Sequence, residues 1–204
     1  MAGDALELAQ AVCTRLCHDL GGPAGALGGA LEMLGEAPDE AAELARDAAR
    51  IIERRLRFWR AAVGGTSGDL DAAALAQLAE GLTLGRRARL DLEGLEPGCQ
   101  IPPEIAQPLL LAMLLGIEAL PRGGVLHVAG GATSGFTLVP EGPGAAWPPG
   151  LPALVAGRAP PEPTPRAVVL PLLAAIATAS GVRLDLAMGS GGGPSPLLLT
   201  PAAR

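Results

Sequence analysis

The 204-residue sequence contains no lysine, no asparagine and no tyrosine, and aromatic residues make up only 2% of it. Without lysine, its glycine-rich stretches cannot form a P-loop, which uses a lysine on the nucleotide phosphates. A catalytic lysine is excluded for the same reason, and the absence of asparagine excludes an N-glycosylation acceptor. The hydrophobic content of 49% is ample for a core, but that core must be built from Ala, Leu and Val.

The net charge and the short apolar runs argue against a nucleic-acid binder, a secreted protein and a membrane protein. The net charge of −6 disfavours a nucleic-acid binder, because phosphate neutralisation requires a basic surface. Asp4 and Glu7 lie where a signal peptide would be basic, and the apolar runs at 108–117 and 167–182 are shorter than the roughly 20 residues of a membrane span. Three cysteines do not make a disulfide framework. We expect a soluble, cytoplasmic protein that binds neither nucleic acid nor membrane.

The first third of the chain predicts two long helices joined by a tight turn. Residues 4–35 carry an apolar stripe at spacings of three and four, and a second helix runs from an N-cap at Asp39 to about Val63. The stripe of the first helix comprises Leu6, Ala9, Cys13, Leu16, Leu20, Pro23, Leu27, Ala30 and Leu34. One helical hairpin buries too little surface to be stable alone. We therefore expect two hairpins to pair as a dimeric four-helix bundle.

The glycine-rich segment 64–68 predicts a boundary between domains at 1–65 and 66–204. Beyond it the pattern indicates helices at 72–86, 103–120 and 167–180, and strands at 89–93, 125–129, 136–139, 182–188 and 196–200. Residues 141–165 are a Gly/Pro-rich loop with at most one helical turn, and 189–194 a flexible turn. Helices on one face of a mainly antiparallel sheet give an α+β layer domain.

The sequence has two histidines, and His18 is the candidate for chemistry. His127 lies in an ordinary strand pattern and is interpreted as structural. His18 falls opposite the apolar stripe of the first helix, so its ring faces solvent, and Asp19 and Pro23 follow it. An exposed imidazole with a free ring nitrogen is a nucleophile near neutral pH. The same periodicity is also found for a solvated surface histidine without a chemical role, and on periodicity alone this is the more common case.

A metal site is the competing interpretation of the same segment. Cys13, Cys17 and His18 are spaced one residue too widely for haem attachment. A zinc site would need further nitrogen or sulfur ligands, and only Cys99 and His127 remain. Cysteines that pack as small buried residues are favoured over a metal site.

The segment Leu16-Cys17-His18-Asp19-Leu20-Gly21-Gly22-Pro23 resembles the H-box of histidine-kinase dimerisation domains, in which His is followed by an acidic residue, an apolar residue, two variable positions and Pro. The resemblance implies that His18 is the phosphoacceptor, that Asp19 aids proton transfer and that Pro23 bends the helix. The pair Gly21-Gly22 departs from the basic and hydroxyl residues that kinases often have there.

The second domain resembles the ATP-binding domain of the same superfamily, but in a degenerate form. Gly116 aligns with the metal-binding Asn of the N-box, and Pro140 with the Asp that reads adenine. The second glycine box is replaced by the proline-rich stretch 158–165. Phosphoryl transfer from ATP depends on positioned metal and charge. The hypothesis of an ATP-dependent kinase therefore fails.

A helical hairpin with an H-box, fused to a degenerate α+β sandwich of the histidine-kinase ATPase type, resembles the ChpT-type histidine phosphotransferases. The resemblance implies a homodimer that takes a phosphoryl group from the receiver-domain Asp of a hybrid histidine kinase. It passes that group to the receiver domains of response regulators. No cofactor is implied for this chain, because Mg²⁺ belongs to the receiver.

The hairpin geometry places residues 56–58 as far from the turn as His18. Arg54, Arg57 and, less directly, Arg55 are then candidates to meet an acidic receiver or a phosphate. The alternative is a solvated helix face paired with the acidic residues of the same helix. The predicted apolar contacts around the site are Leu16, Leu20, Pro23 and Phe58.

Two other functions stay open from the sequence. The protein could be a non-catalytic dimeric adaptor that only binds receivers or a kinase. A nucleotide-binding regulator would instead show measurable affinity for ATP.

Overall fold

The computed structural model describes residues 2–188 and 193–202. Of the turn predicted at 189–194, residues 189–192 lie outside this described part. Within it, no helix is both long enough and apolar enough to cross a membrane.

The N-terminal part is the predicted helical hairpin. Helix α1 spans Ala2–Glu32 and is followed by a short 3₁₀ turn at Met33–Gly35, and helix α2 spans Pro38–Gly64. Pro38 opens α2, where a proline costs no backbone hydrogen bond. The predicted N-cap at Asp39 is wrong: Ala37 is the N-cap, and Asp39 and Glu40 lie in the first turn, where they interact favourably with the helix dipole. The two helices pack along each other, which confirms the predicted hairpin.

The rest of the chain alternates helices and strands. In chain order the elements are α3 (Ala72–Thr83), β1 (Ala88–Leu95), α4 (Pro103–Glu118), β2 (Gly124–Gly131), β3 (Gly135–Glu141), α5 (Gly150–Val155), α6 (Val169–Ala179), β4 (Val182–Leu186) and β5 (Leu197–Pro201). Asp71 caps α3 through a 2.7 Å bond from the Ala74 amide to its Oδ1. Every strand and long helix predicted in this part is present, with bounds shifted by a few residues.

The five strands form one mixed sheet in the order β1-β2-β3-β5-β4. The β2–β3, β3–β5 and β4–β5 pairs are antiparallel, which agrees with the mainly antiparallel sheet that the sequence predicts. The β1–β2 pair is parallel, which the sequence analysis did not predict. Parallel neighbours require a crossover, and α4 provides it.

The core lies between the sheet and a layer formed by α3, α4 and α6. Alternate strand residues that face the helices are buried, among them Leu126, Phe136, Leu138 and Leu199. Helix α4 is buried along almost its entire length. The same apolar cluster continues into α1 and α2 through residues such as Val12 and Trp59. The hairpin is therefore packed on the α4 side of the molecule, across the sequence position predicted as a domain boundary.

Helices α2 and α3 touch at a glycine. A Cβ placed at Gly81 would lie 2.5 Å from the carbonyl oxygen of Arg54 and 3.0 Å from the Cβ of Phe58. Only a residue without a side chain permits this backbone approach.

We predict that Gly81→Ala lowers the free energy of unfolding by about 2 kcal/mol, since the methyl group forces the two helix backbones apart. Gly25→Ala is the matched control: position 25 is helical with nothing within 4 Å of its Cβ, so alanine raises stability by up to about 1 kcal/mol. Urea unfolding measures both. Equal effects of the two substitutions would contradict the proposed close contact.

Candidate functional site

The imidazole of His18 projects from the outer surface of α1, with 85% of its side chain exposed. This is the orientation that the helical periodicity predicts. Its Nδ1 lies 3.9 Å from Oδ1 of Asp19, which is too long for a hydrogen bond. Among the described residues nothing bonds to Nε2, so this nitrogen is free to react.

Pro23 creates an unpaired carbonyl next to His18. A proline in a helix has no N–H to donate to the carbonyl four residues before it, which here belongs to Asp19. Nη1 of Arg55, from α2, donates to that carbonyl oxygen instead. Arg55 thus replaces the hydrogen bond that Pro23 removes, and it ties the proline-containing turn of α1 to α2.

The carboxylate of Asp19 is held by an arginine of its own helix. Nε of Arg15, one helical turn earlier, donates to Oδ1 of Asp19 at 2.9 Å. The other end of the guanidinium, Nη2, donates to Oε1 of Glu118 at the C-terminal end of α4. Arg15 is buried, at 8% exposure. Asp19 is therefore held in two ways. Its backbone carbonyl is bonded to α2 through Arg55, and its carboxylate is linked to α4 through Arg15.

Burial and neighbouring charges of opposite sign shift the pKa values of Arg15, Glu118 and Arg55 in opposite directions. Burial acts to lower the pKa of Arg15, but the carboxylates of Glu118 and Asp19 outweigh it and raise that pKa, so Arg15 stays charged. Burial raises the pKa of Glu118, although Arg15 and Arg86 act against the shift. Burial also lowers the pKa of Arg55, against the attraction of Asp19.

The predicted docking residues are only partly brought together. Leu16, Leu20 and Pro23 are half-buried on the helix that carries His18. Arg54 forms an ion pair with Glu80 of α3 at 2.6 Å, and Arg57 forms one along its own helix with Glu53 at 2.7 Å. The arginine that the structure places at the His18 turn is Arg55.

The prediction that Phe58 is an exposed contact residue is wrong. Its side chain is only 1% exposed and makes an edge contact with the ring of Trp59. The C-terminal half of α2 is covered by α3 and α4, so this face of the helix is interior. Leu56 is the neighbouring apolar residue that is exposed.

The prediction that Cys13 is buried is also wrong for the single chain. Cys13 and Cys17 are exposed free thiols. Near Cys13 the buried residues of α1 are Ala11, Val12 and Arg15, which lie beside the predicted stripe. Of the stripe itself, Ala30 is buried and Leu16 packs against the core. Within the described ranges, no three His, Cys, Asp or Glu side chains are grouped as a metal site.

Glu118 stands between two clefts at the end of α4. One, of about 310 Å³, is lined mainly by apolar residues such as Leu115 and Pro148. The other, of about 600 Å³, is lined by Arg86, Arg87 and Arg122. Gly116, by contrast, packs under β2, where a Cβ would lie 2.6 Å from the side chain of Leu126. The acidic group at these clefts is thus Glu118, and Arg15 is its partner.

His127 lies in β2 and bonds across the sheet. Nδ1 is 2.8 Å from Oδ2 of Asp91, and Nε2 is 3.2 Å from Oε2 of Glu141. The Glu93 amide and the His127 ring lower the pKa of Asp91. These strand-to-strand contacts occupy both ring nitrogens.

Sequence reasoning missed Arg15 and Glu118, although each left a signal. Arg15 precedes Asp19 by four residues, the spacing of an ion pair on one helix face. Glu118 is the one charged residue between Glu104 and Arg122 in an otherwise apolar segment. Such a residue on a buried helix requires a partner. Nothing in the pattern identified which arginine that partner would be.

Comparison with known proteins gives consistent results. A family model described as the histidine phosphotransferase C-terminal domain matches residues 72–191. The chain is similar to protein phosphotransferase ChpT of Brucella abortus (strain 2308), with 34% identity over 167 residues, 78% of this chain and 79% of that protein. It is also similar in structure to a bacterial phosphotransferase, with a TM-score of 0.75, 27% identity and 96% of each chain covered.

We predict a pH-dependent stability difference between the protein and its Glu118→Gln variant. Because the pKa of Glu118 in the folded state is raised above its ordinary value of 4.5, the folded state binds the proton more tightly than the unfolded state. The stability of the protein relative to the variant is then greatest below about pH 4.5 and falls as pH rises through the raised pKa. Urea unfolding from about pH 4 to about pH 8 measures the difference. Asp185→Asn, which alters an exposed ion pair on β4, is the control. A difference that grows with pH would show that the pKa of Glu118 is lowered instead.

Proposed function

Because this chain belongs to the histidine phosphotransferase family, we propose that His18 is the residue that carries the phosphoryl group. The observation that supports this most directly is the exposed imidazole beside an Asp19 that is held from two sides. A surface histidine without a chemical role would not need a neighbouring carboxylate held in this way. The chain then acts in a cytoplasmic phosphorelay, between the receiver domain of a hybrid histidine kinase and the receiver domains of response regulators.

The proposed transfer needs only the imidazole and an aspartyl phosphate. The lone pair of Nε2 of neutral His18 forms the N–P bond while the O–P bond to the receiver aspartate breaks, and its electron pair leaves with the carboxylate oxygen. Nδ1 keeps its proton, and the ring gains the positive charge. The carboxylate of Asp19 stabilises that charge. The reverse step, on a second receiver, moves the group onward and regenerates neutral His18.

Cationic groups beside His18 fit an acidic partner. The side chain of Arg55 reaches from α2 to the turn of α1 that carries His18, and Arg86 is close enough to lower the pKa of Arg55. Two guanidinium groups at one edge of the site attract the carboxylates of a receiver and the phosphoryl oxygens. Mg²⁺ would be supplied by the receiver, and Leu16, Leu20 and Pro23 would supply apolar contact.

We propose that residues 66–204 take part in phosphotransfer without binding ATP. At Gly116, the position predicted to align with a metal-binding Asn, a side chain would displace the buried side chain of Leu126. The carboxylate that lies at the clefts, Glu118, is already bonded to Arg15. We propose that this part is a degenerate ATPase-like sandwich whose surviving role is structural and partner-binding.

We also propose that the active species is a homodimer joined through the hairpins. Large apolar side chains remain exposed along α1, the 3₁₀ turn and α2: Leu6, Leu31, Met33, Leu34, Leu44, Leu56 and Val63. A run of this kind along two adjacent helices is typical of a face that another helix pair covers. A second hairpin would complete the predicted four-helix bundle.

We predict that the protein accepts phosphate from a phosphorylated receiver as an acid-labile, base-stable label, and that His18→Ala abolishes this label. The reason is that no other imidazole is exposed and free in the described residues. Asp19→Asn should slow the transfer by about 100-fold, a typical cost of losing a catalytic carboxylate. Rapid-quench gel assays with labelled receiver measure both rates.

Receiver binding separates this function from that of an adaptor. His18→Ala should bind the receiver as tightly as the unmodified protein, since exposure of the ring makes its loss harmless to the fold. His127→Ala is the matched control and should be labelled normally. A His18→Ala protein that takes up label at the normal rate would refute the assignment of His18, and receiver binding without any label on the unmodified protein would favour the adaptor.

We predict that the double substitution Leu31→Glu and Leu44→Glu converts the protein to monomers. Both side chains are exposed at similar distances from the hairpin turn, and a carboxylate at an apolar helix interface is costly to bury. Light scattering after size exclusion measures the mass. Ser67→Glu with Gln77→Glu adds the same charge at exposed positions outside the hairpin and should leave a dimer. A monomeric unsubstituted protein would contradict the proposal.

A further inference from the structure

We infer that Glu118 and Arg15 are positioning residues for phosphotransfer: Glu118 orients the Arg15 guanidinium, which holds the Asp19 carboxylate beside His18. This inference rests on the proposed role of His18. Neither Glu118 nor Arg15 contacts the reacting ring, and their effect is transmitted through Asp19.

The geometry of Arg15 supports this order of action. A guanidinium is planar, and its donors point in fixed directions. Its Nε donates to Asp19 and its Nη2 to Glu118, so the two bonds together fix the plane of the group. Rotation that would release Asp19 would also break the bond to Glu118. A lysine ammonium, which has no fixed plane, would not couple the two carboxylates in this way.

The energetics also favour a positioning role over a stabilising one. Arg15 is buried, and the side chain of Glu118 is 23% exposed. For a buried ion pair, the cost of removing both charges from water commonly cancels the attraction between them. The raised pKa of Glu118 agrees with that balance. A pair that adds little to stability is instead explained by the orientation that it imposes.

Asp19 needs this orientation because its carboxylate must be close to His18 without being bonded to it. At 3.9 Å from Nδ1, Oδ1 is close enough to stabilise positive charge that develops on the ring, without leaving Arg15. Without Glu118, Arg15 is held at one end only and can swing with Asp19 toward solvent. The carboxylate would then be nearer to or farther from the ring in different molecules, and fewer of them would be ready to react.

A double-mutant cycle tests the inference. Glu118→Gln should slow single-turnover transfer from a phosphorylated receiver by about tenfold, with unchanged affinity for the receiver. In the Asp19→Asn background the same substitution should change the rate less than twofold, because the group through which Glu118 acts is gone. A purely structural role would slow transfer equally in both backgrounds. Arg15→Gln should reproduce the pattern of Glu118→Gln.

Two controls distinguish a positioning role from a general loss of stability. Asp185→Asn removes a carboxylate from the exposed Arg183 pair on β4 and should transfer at the normal rate. Urea unfolding of every variant shows whether it is folded at the assay temperature. A normal rate for Glu118→Gln, an equal loss in both backgrounds, or a loss of receiver affinity alone would each overturn the inference. Failure of the unmodified protein to be labelled would instead refute the proposed function.

Discussion

The buried guanidinium of Arg15 is the interaction around which the site is organised. Burying a cation is unfavourable unless its donors are satisfied, and here Asp19 and Glu118 satisfy them from two different elements. This requirement determines where α4 ends relative to α1. It also explains why an apolar, buried helix has an acidic residue near its last turn. These two bonds link the His18 turn of α1 to the end of α4.

Pro23 and Arg55 add a second constraint on the same turn. The proline leaves the Asp19 carbonyl without its helical donor, and a side chain from α2 takes that place. This bond fixes the alignment of α1 along α2 near His18. An arginine suits this role because it reaches across two helices while part of its stem packs against them. The substituted hydrogen bond also places a cation at the turn of α1 that carries His18.

The helices, the strands and the exposure of His18 were predictable because they depend on local periodicity and on residue type. The partners of charged residues were not. Phe58 and Cys13 were assigned to the wrong side of their helices because each helix has more than one apolar face, and only the packing of α3 and α4 decides which is covered. Arg54 and Arg55 are adjacent in sequence, yet one bonds to α3 and the other to α1. The parallel β1–β2 pairing was missed, although the predicted order of strand, helix and strand is the one that a parallel crossover requires.

The bond between Arg15 and Glu118 joins residues 103 positions apart, and this separation has a consequence for folding. Contacts between distant parts of a chain form late, because the intervening loop must first be closed. Helix α4 is also the crossover between β1 and β2, so it reaches its place only as the sheet assembles. A nascent chain that had made only its hairpin would display His18 without an oriented Asp19. The bond network that holds Asp19 is therefore complete only in the fully folded chain, and a fragment that ends after the hairpin would lack it.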